Sequence, residues 1–227
     1  YGKEAGSTLS AWCPAEYGQE AGWRDVDAFY RPQLHACFIH PVQDNLVDDG
    51  GIMDHLKTEA AIFKFGSGSG TNYSRLRARG SKLSKGGFTS GVMSFLKVGD
   101  ASAGAIKSGG TTRRSARMLF LDSDHEDILD FVNWKRREED KVAALVEGSR
   151  ALRDGLSVGA GQAAERYKGR ADRLEEYDYG WEGDAYQTVA GQNGNNTVRL
   201  LGDDWTDSPL LDEIAFNAWA CGDPGVA

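Results

Sequence analysis

The residue types that could do chemistry concentrate between Phe63 and Arg114. This stretch reads FKFGSGSGTNYSRLRARGSKLSKGG, then SGVMSFLKVGDASAGA, then IKSGGTTRRSA. Two glycine-rich turns, each followed by arginines, flank a small-residue segment. Glycine clusters let backbone N–H groups approach a ligand closely. Arginine supplies forked donors that match phosphate oxygens. The pattern predicts a nucleotide site, or two neighbouring ones. Cys37, in LHACFIHPV, adds a thiol inside a short β-rich run that Pro41 ends. A lone strand cysteine most simply reads as a small buried hydrophobe, with redox chemistry as the alternative. Asp122, Asp124 and His125 could hold a metal, but Asp124 also suits the N-cap of a following helix, and capping is the preferred reading. Asn195, Asn196 and Thr197 could bind a ligand; on composition they read as turns.

These groups need elements to hold them. Ile52, Leu56, Ala60 and Phe63 recur at helical spacing and predict a helix of about three turns leading into Gly66. GSGSG superficially matches dinucleotide-binding fingerprints, which require a strand before the turn and a helix after it. Here a helix precedes and TNYSRLR, read as a strand, follows, so a Rossmann site is rejected. A second helix is expected from Thr89 to Ala103, and the turn from Lys107 to Arg114 reads as mobile until a ligand orders it. Met118 to Leu121 reads as a buried strand of the parallel-sheet kind. Helices are expected over 125–147 and 205–220, and 148–180 reads as partly helical. Residues 1–30, with scattered aromatics, read as irregular. Strand–helix alternation argues for a mainly parallel α/β sheet or part of a barrel.

A chain of 227 residues can bury a substantial core. Its net charge of −8 argues against binding a nucleic acid polymer, which needs broad phosphate neutralisation. The basic residues cluster at 75–85, 107–117 and 135–141, which suits small phosphorylated ligands better. Three cysteines are too few for a secreted disulfide framework. The sequence has no long apolar run and no signal peptide, so no membrane association and a cytoplasmic location are expected. Both ends, Tyr1 without methionine and Ala227 after Gly-Asp-Pro-Gly, read as cuts inside a longer protein.

Several segments resemble adenosylcobalamin-dependent (class II) ribonucleotide reductases. They are RPQLHACFI, GGIMDHL, FKFGSGSGTNYSRLR, GVMSFLKVGDASAGAIKSGGTTRRSA, DHEDILDFVNWK with EEDKVAALV, and WEGDAYQTVAGQNGNNTVR. The likeness runs from Arg31 to about Ser149 and returns from Trp181 to Arg199. It implies an α/β fold, with 31–227 as the first half of a ten-stranded α/β barrel, incomplete at both ends. It implies cobalamin-initiated thiyl radical chemistry that converts a ribonucleoside di- or triphosphate to its deoxy form. Implied partners are a deoxynucleoside triphosphate effector, a thioredoxin-like or glutaredoxin-like reductant, the remaining half of the reductase and a possible second copy of the chain.

By position, the resemblance makes Cys37 one of two reducing cysteines, with Ala36 and Cys37 lining the substrate ribose and Ser67 and Gly68 beside it. A thiol near the 2′ hydroxyl can give up hydrogen and then form a disulfide. Asp44, Asn45 and Leu46 take the place of effector ribose or base ligands, and Arg77 and Lys85 of triphosphate ligands. Ile106 to Ser115 resembles the specificity loop, with Lys107, Ser108 and Thr112 as its candidates. No metal ligand is implied. An Asn-x-Cys-x-Glu segment carrying the radical cysteine is absent, as is the second reducing cysteine, and Cys221 stands in the wrong context for either. Adenosylcobalamin is therefore expected to bind mostly elsewhere in the enzyme, and this chain alone is expected not to turn over. A nucleotide-binding fragment without catalysis, or an inactive truncation product, are the alternatives.

Overall fold

The computed structural model describes residues 8–13, 22–27, 36–106, 115–157, 179–180, 183–202 and 208–227. The chain divides into two compact units, Tyr1–Ala36 and Cys37–Ala227. In the first, β1 (Thr8–Cys13) and β2 (Gly22–Asp27) pair antiparallel, with Trp12 opposite Trp23. The irregular structure expected over 1–30 is thus replaced by a hairpin within those two spans. Its alternation of apolar and polar residues is short and was masked by the surrounding glycines and acids.

The second unit is a parallel sheet. Strands β3 (Cys37–Ile39), β4 (Gly68–Asn72), β5 (Arg117–Asp122), β6 (Gly194–Arg199) and β7 (Gly225–Val226) lie side by side in chain order. Helices connect them: α1 (Ile52–Lys64), α2 (Val92–Ala105), α3 (Ile128–Val132), α4 (Trp134–Ser157), α5 (Asp184–Gln187) and α6 (Pro209–Cys221). Right-handed crossovers between strands laid down in sequence order put every connecting helix on the same side of the sheet. This is the winding of a barrel rather than of a two-sided open sheet.

The alternation along the strands follows from that one-sided cover. Leu119, Leu121 and Val198 are buried with Val92 and Leu96 of α2, Phe131 of α3 and Ile214 of α6 in one apolar core. Residues of opposite parity, Cys37, Ile39, Met118 and Asn195, are exposed, Ile39 to 91%.

Three local expectations change. Strand β4 is the glycine run itself, and Tyr73 to Arg79 form turns instead of the strand expected over TNYSRLR. Gly-Ser-Gly-Thr-Asn has little intrinsic strand preference; pairing with β3 on one side and β5 on the other overrides it. Asn195, Asn196 and Thr197 likewise lie within β6 and not in turns, because β5 pairs with all three and β7 with Thr197. The helix expected over 125–147 is two helices, and Asp127, not Asp124, stands at the first N-cap. The Asp127 carboxylate accepts from the backbone N–H of Arg79 and of Val92, tying the start of α2 to the turn after β4.

Candidate functional site

The exposed face of the sheet brings Cys37 and Gly68 together. They are register partners at the starts of β3 and β4. A Cβ at Gly68 would stand 3.3 Å from Cys37 Sγ and 3.4 Å from the Ala116 carbonyl oxygen, so only glycine leaves this space open. Cys37 is a free, exposed thiol, which rules out the buried-hydrophobe reading. Ser67 is buried, and its backbone N–H closes the end of α1 on the Ile62 carbonyl. Ala36 is exposed. Cys221, at the end of α6, is half-buried, and its Sγ lies 3.3 Å from the Asn217 carbonyl oxygen.

Past the other end of β3 the chain turns through Asp44, Asn45 and Leu46. Asp44 Oδ2 accepts from Arg77 Nε at 2.5 Å, and Arg77 Nη1 donates to the Lys82 carbonyl at 3.4 Å. The two residues that sequence reasoning set on opposite parts of one ligand are therefore each other's partners in the free chain. The carbonyls of Asn45 and Leu46 accept from the N–H groups of Ile52 and Met53, which start α1. Lys85 is exposed in the turn from Ser81 to Thr89, which the Leu83–Gly87 and Thr89–Ser81 backbone bonds close. Lys107, Ser108 and Thr112 lie outside the described residues. The ends of that segment are joined, Ser115 Oγ donating to the Ile106 carbonyl at 2.8 Å.

At the carboxyl ends of β3 to β6 a cleft of about 460 Å³ opens, lined by Ile39, His40, Asn72, Arg75, Asp122 and Arg199 among others. Open α/β sheets bind ligands at this end of their strands. Asp122 accepts from Arg199 Nη2 at 2.5 Å and from Asn72 Nδ2 at 2.9 Å. Burial works to raise its pKa, but the hydrogen bonds from Arg199, Asn72 and Ser74 outweigh that and hold it below the ordinary carboxylate value. Asp122 is thus committed to an ion pair, and the metal reading of Asp122, Asp124 and His125 has no support here: His125 Nε2 bonds the Leu76 carbonyl. The cleft has the size of a nucleoside-sized ligand site.

Behind the sheet, under α1 and α2, sequence reasoning missed a buried polar network. Glu59 of α1 and Arg117 of β5 are each 2% exposed. Arg117 Nε donates to Glu59 Oε1 at 3.0 Å, its Nη2 to Tyr73 Oη at 2.8 Å, and its Nη1 reaches the Leu96 carbonyl at 3.4 Å. Ser69 Oγ donates to Glu59 Oε1 at 2.8 Å and lies 2.9 Å from His40 Nε2. His55 Nε2 lies 3.1 Å from Tyr73 Oη, and its ring stacks on that of His40 with centroids 4.2 Å apart. Burial disfavours the Arg117 charge, but Tyr73 and Glu59 beside it offset this and hold its pKa above the ordinary value. Burial lowers His55 to about 4 and lowers His40 as well, despite the opposing pull of Glu59 on both. It pushes the Tyr73 phenol far up. Gly99 makes room for all this: a Cβ there would stand 2.4 Å from Arg117 Nη2. The signal in the sequence was polar His55 and Glu59, four residues apart, on the side of α1 that also carries Ile52 and Phe63.

Comparison with known proteins agrees with the sheet. The family described as the ribonucleotide reductase barrel domain matches residues 35–227. A vitamin B12-dependent ribonucleotide reductase of Bradyrhizobium diazoefficiens is 40% identical over 89% of this chain and 21% of its own length. One from Agrobacterium fabrum has the same identity and coverage. A vitamin B12-dependent ribonucleoside-diphosphate reductase of Mycobacterium tuberculosis is 31% identical over 85% of the chain and 24% of its length. This chain thus spans about a fifth of the length of these relatives. Among solved structures, the class Id ribonucleotide reductase alpha subunit of Actinobacillus ureae covers 84% of the chain with a TM-score of 0.50 at 16% identity, a likeness of fold. The one-sided parallel sheet is part of an α/β barrel, and the chain belongs to the ribonucleotide reductase family.

Proposed function

We propose that this chain supplies part of the catalytic barrel of a cobalamin-dependent ribonucleotide reductase. Cys37 is one reducing thiol, and Gly68 and the neighbouring Ser67 backbone give the substrate ribose close approach. The observation that carries the reading is the thiol of Cys37 exposed on the helix-free face, beside a glycine that keeps its flank clear. Reduction of the 2′ carbon releases the 2′ oxygen as water while two thiols become a disulfide, so Cys37 needs a second cysteine from the rest of the barrel and a dithiol reductant to reset it. Cobalamin, when bound elsewhere in the enzyme, supplies the radical initiation. This chain's part is to hold the thiol and the sugar.

Asp44, Arg77 and Lys85, with Asn45 and Leu46, form the effector half of the proposal, and Lys107, Ser108 and Thr112 the loop that would relay effector identity to the substrate, a coupling between two sites. The Asp44–Arg77 pair supports this half by bringing two of its members into contact. It also favours a second reading, a fragment that binds deoxynucleoside triphosphate without catalysis.

The test mixes this chain with the remaining part of the reductase, adenosylcobalamin, a ribonucleotide and a dithiol. Deoxyribonucleotide formation that Cys37→Ser abolishes is expected. No product from folded, associated components, with deoxynucleotide binding retained in calorimetry, would leave the second reading in its place.

A further inference from the structure

We propose that His40, His55 and Glu59 form a binding site for one first-row transition-metal dication of the zinc type, independent of the reductase reading. One ring nitrogen of each histidine and one carboxylate oxygen of Glu59 lie within 4.8 Å of one another. The three residues come from two elements that the fold presses together: His40 directly follows β3, and His55 and Glu59 stand one turn apart on α1. Two imidazoles and a carboxylate make the donor set typical of zinc sites that keep a fourth position open.

The second observation is an orphan. Glu59 is 2% exposed, and its two oxygens are unequal. Oε1 accepts from both Ser69 and Arg117, whereas Oε2 is buried with no hydrogen-bond partner. Natural structures seldom leave a buried carboxylate oxygen unpaired; each such atom calls for a water, an ion or a function. The oxygen facing His55 Nε2, at 3.7 Å, is Oε1, so an ion between them would have to bridge the carboxylate to satisfy Oε2 as well. The bonds from Arg117 and Ser69 fix the Glu59 carboxylate as an outer shell would, while His55 Nε2 would exchange its bond to Tyr73 Oη for the ion.

Charge and geometry narrow the occupant. The Arg117 guanidinium already balances Glu59, so a cation held only by charge gains little. Calcium and magnesium, which prefer oxygen cages, are therefore disfavoured, and nitrogen-seeking zinc, cobalt, nickel or copper are favoured. The rings stack and His40 Nε2 is spent on Ser69 Oγ, so binding through both histidines requires His40 to turn and give up Ser69. It is only half-buried and lines the cleft at the carboxyl ends of the strands, which supplies both the room and the entry path. Once occupied, the site would pin α1 to the end of β3.

The test is equilibrium dialysis of the full chain, stripped by a chelator, against Co²⁺, followed by visible absorption. One equivalent of Co²⁺ is expected, with ligand-field bands of a four- or five-coordinate ion and no thiolate charge-transfer band. Zn²⁺ should displace it, and Mg²⁺ should not. His40→Ala should weaken binding at least tenfold while leaving the circular dichroism of the chain unchanged. Glu59→Gln should do the same; if that variant fails to fold, His40→Ala carries the test alone. Less than a tenth of an equivalent bound, or binding that His40→Ala does not weaken, would overturn the proposal and leave a buried water as the partner of Oε2.

Discussion

The two faces of the one parallel sheet are built on opposite rules. The helix-covered face buries charge: Glu59, Arg117, Tyr73 and His55 are each no more than 3% exposed and saturate most of one another's hydrogen bonds. The helix-free face keeps Cys37 unpaired and exposed, with glycine at the facing positions of β4. Along β4 the alternation is literal. Gly68 and Gly70 face Cys37 and Ile39, while Ser69 and Thr71 are buried behind them. One face is tied by buried polar contacts that leave Glu59 Oε2 and His55 Nδ1 over; the other keeps an exposed thiol. The difference teaches where mutations should cost stability and where they should cost function alone.

The largest effect should come from breaking the buried pair. Glu59→Ala leaves the Arg117 guanidinium buried without its carboxylate, and breaking a buried ion pair costs about 3–5 kcal/mol. Chemical denaturation should show a loss of that order, whereas Cys37→Ser should change stability by no more than about 0.5 kcal/mol, as surface changes do. Equal losses for the two would erase the contrast between the faces.

Acid comes next. The folded chain holds His55 neutral, with its pKa lowered from 6.5 to about 4, and His40 is lowered too. Between these values the unfolded chain binds more protons than the folded one. Stability should therefore fall as pH drops from about 6.5 towards 4, by on the order of 3 kcal/mol for His55, and level off below. His55→Gln should flatten this slope when unfolding is followed at several pH values. A slope unchanged in that variant would place the proton uptake elsewhere.

Filling Gly99 tests the packing from the helix side. Gly99→Ala drives a Cβ into Arg117, and overpacking of this kind costs about 1–3 kcal/mol. Gly68→Ala is the counterpart on the bare face. Its Cβ would press on Cys37 Sγ, so native-state alkylation of Cys37 should slow severalfold while the melting temperature moves little. The smallest effect belongs to the surface. Asp44 and Arg77 are about a third exposed, so Asp44→Ala should cost about 0.2–1 kcal/mol and less in high salt.

The contrast between the faces also explains what the sequence disclosed. Helix α1 and strand β5 were legible because an apolar stripe and a run of large apolar residues each encode burial locally. Cys37 was visible as a residue and through family likeness, but its exposure was not: β3 is only three residues long, and which way its alternation faces depends on which side the helices cover. Strand β4 was hidden because glycine, serine and asparagine carry no strand preference; its neighbours impose the conformation. The Glu59–Arg117 pair joins residues 58 positions apart, so only register between β4, β5 and α1 brings them together. The Asp44–Arg77 contact spans 33 positions and was foreseen only as a shared ligand site, not as a direct pair.

The central claim is that Cys37 is a reducing thiol. A single-turnover experiment tests it most directly: the chain, recombined with the rest of the reductase, reduced, freed of external dithiol and given one portion of ribonucleotide and adenosylcobalamin. Peptide mass spectrometry of the quenched protein should find Cys37 in a disulfide with a cysteine from the remainder, in proportion to the deoxyribonucleotide formed. Product formed while Cys37 stays a free thiol would contradict the account.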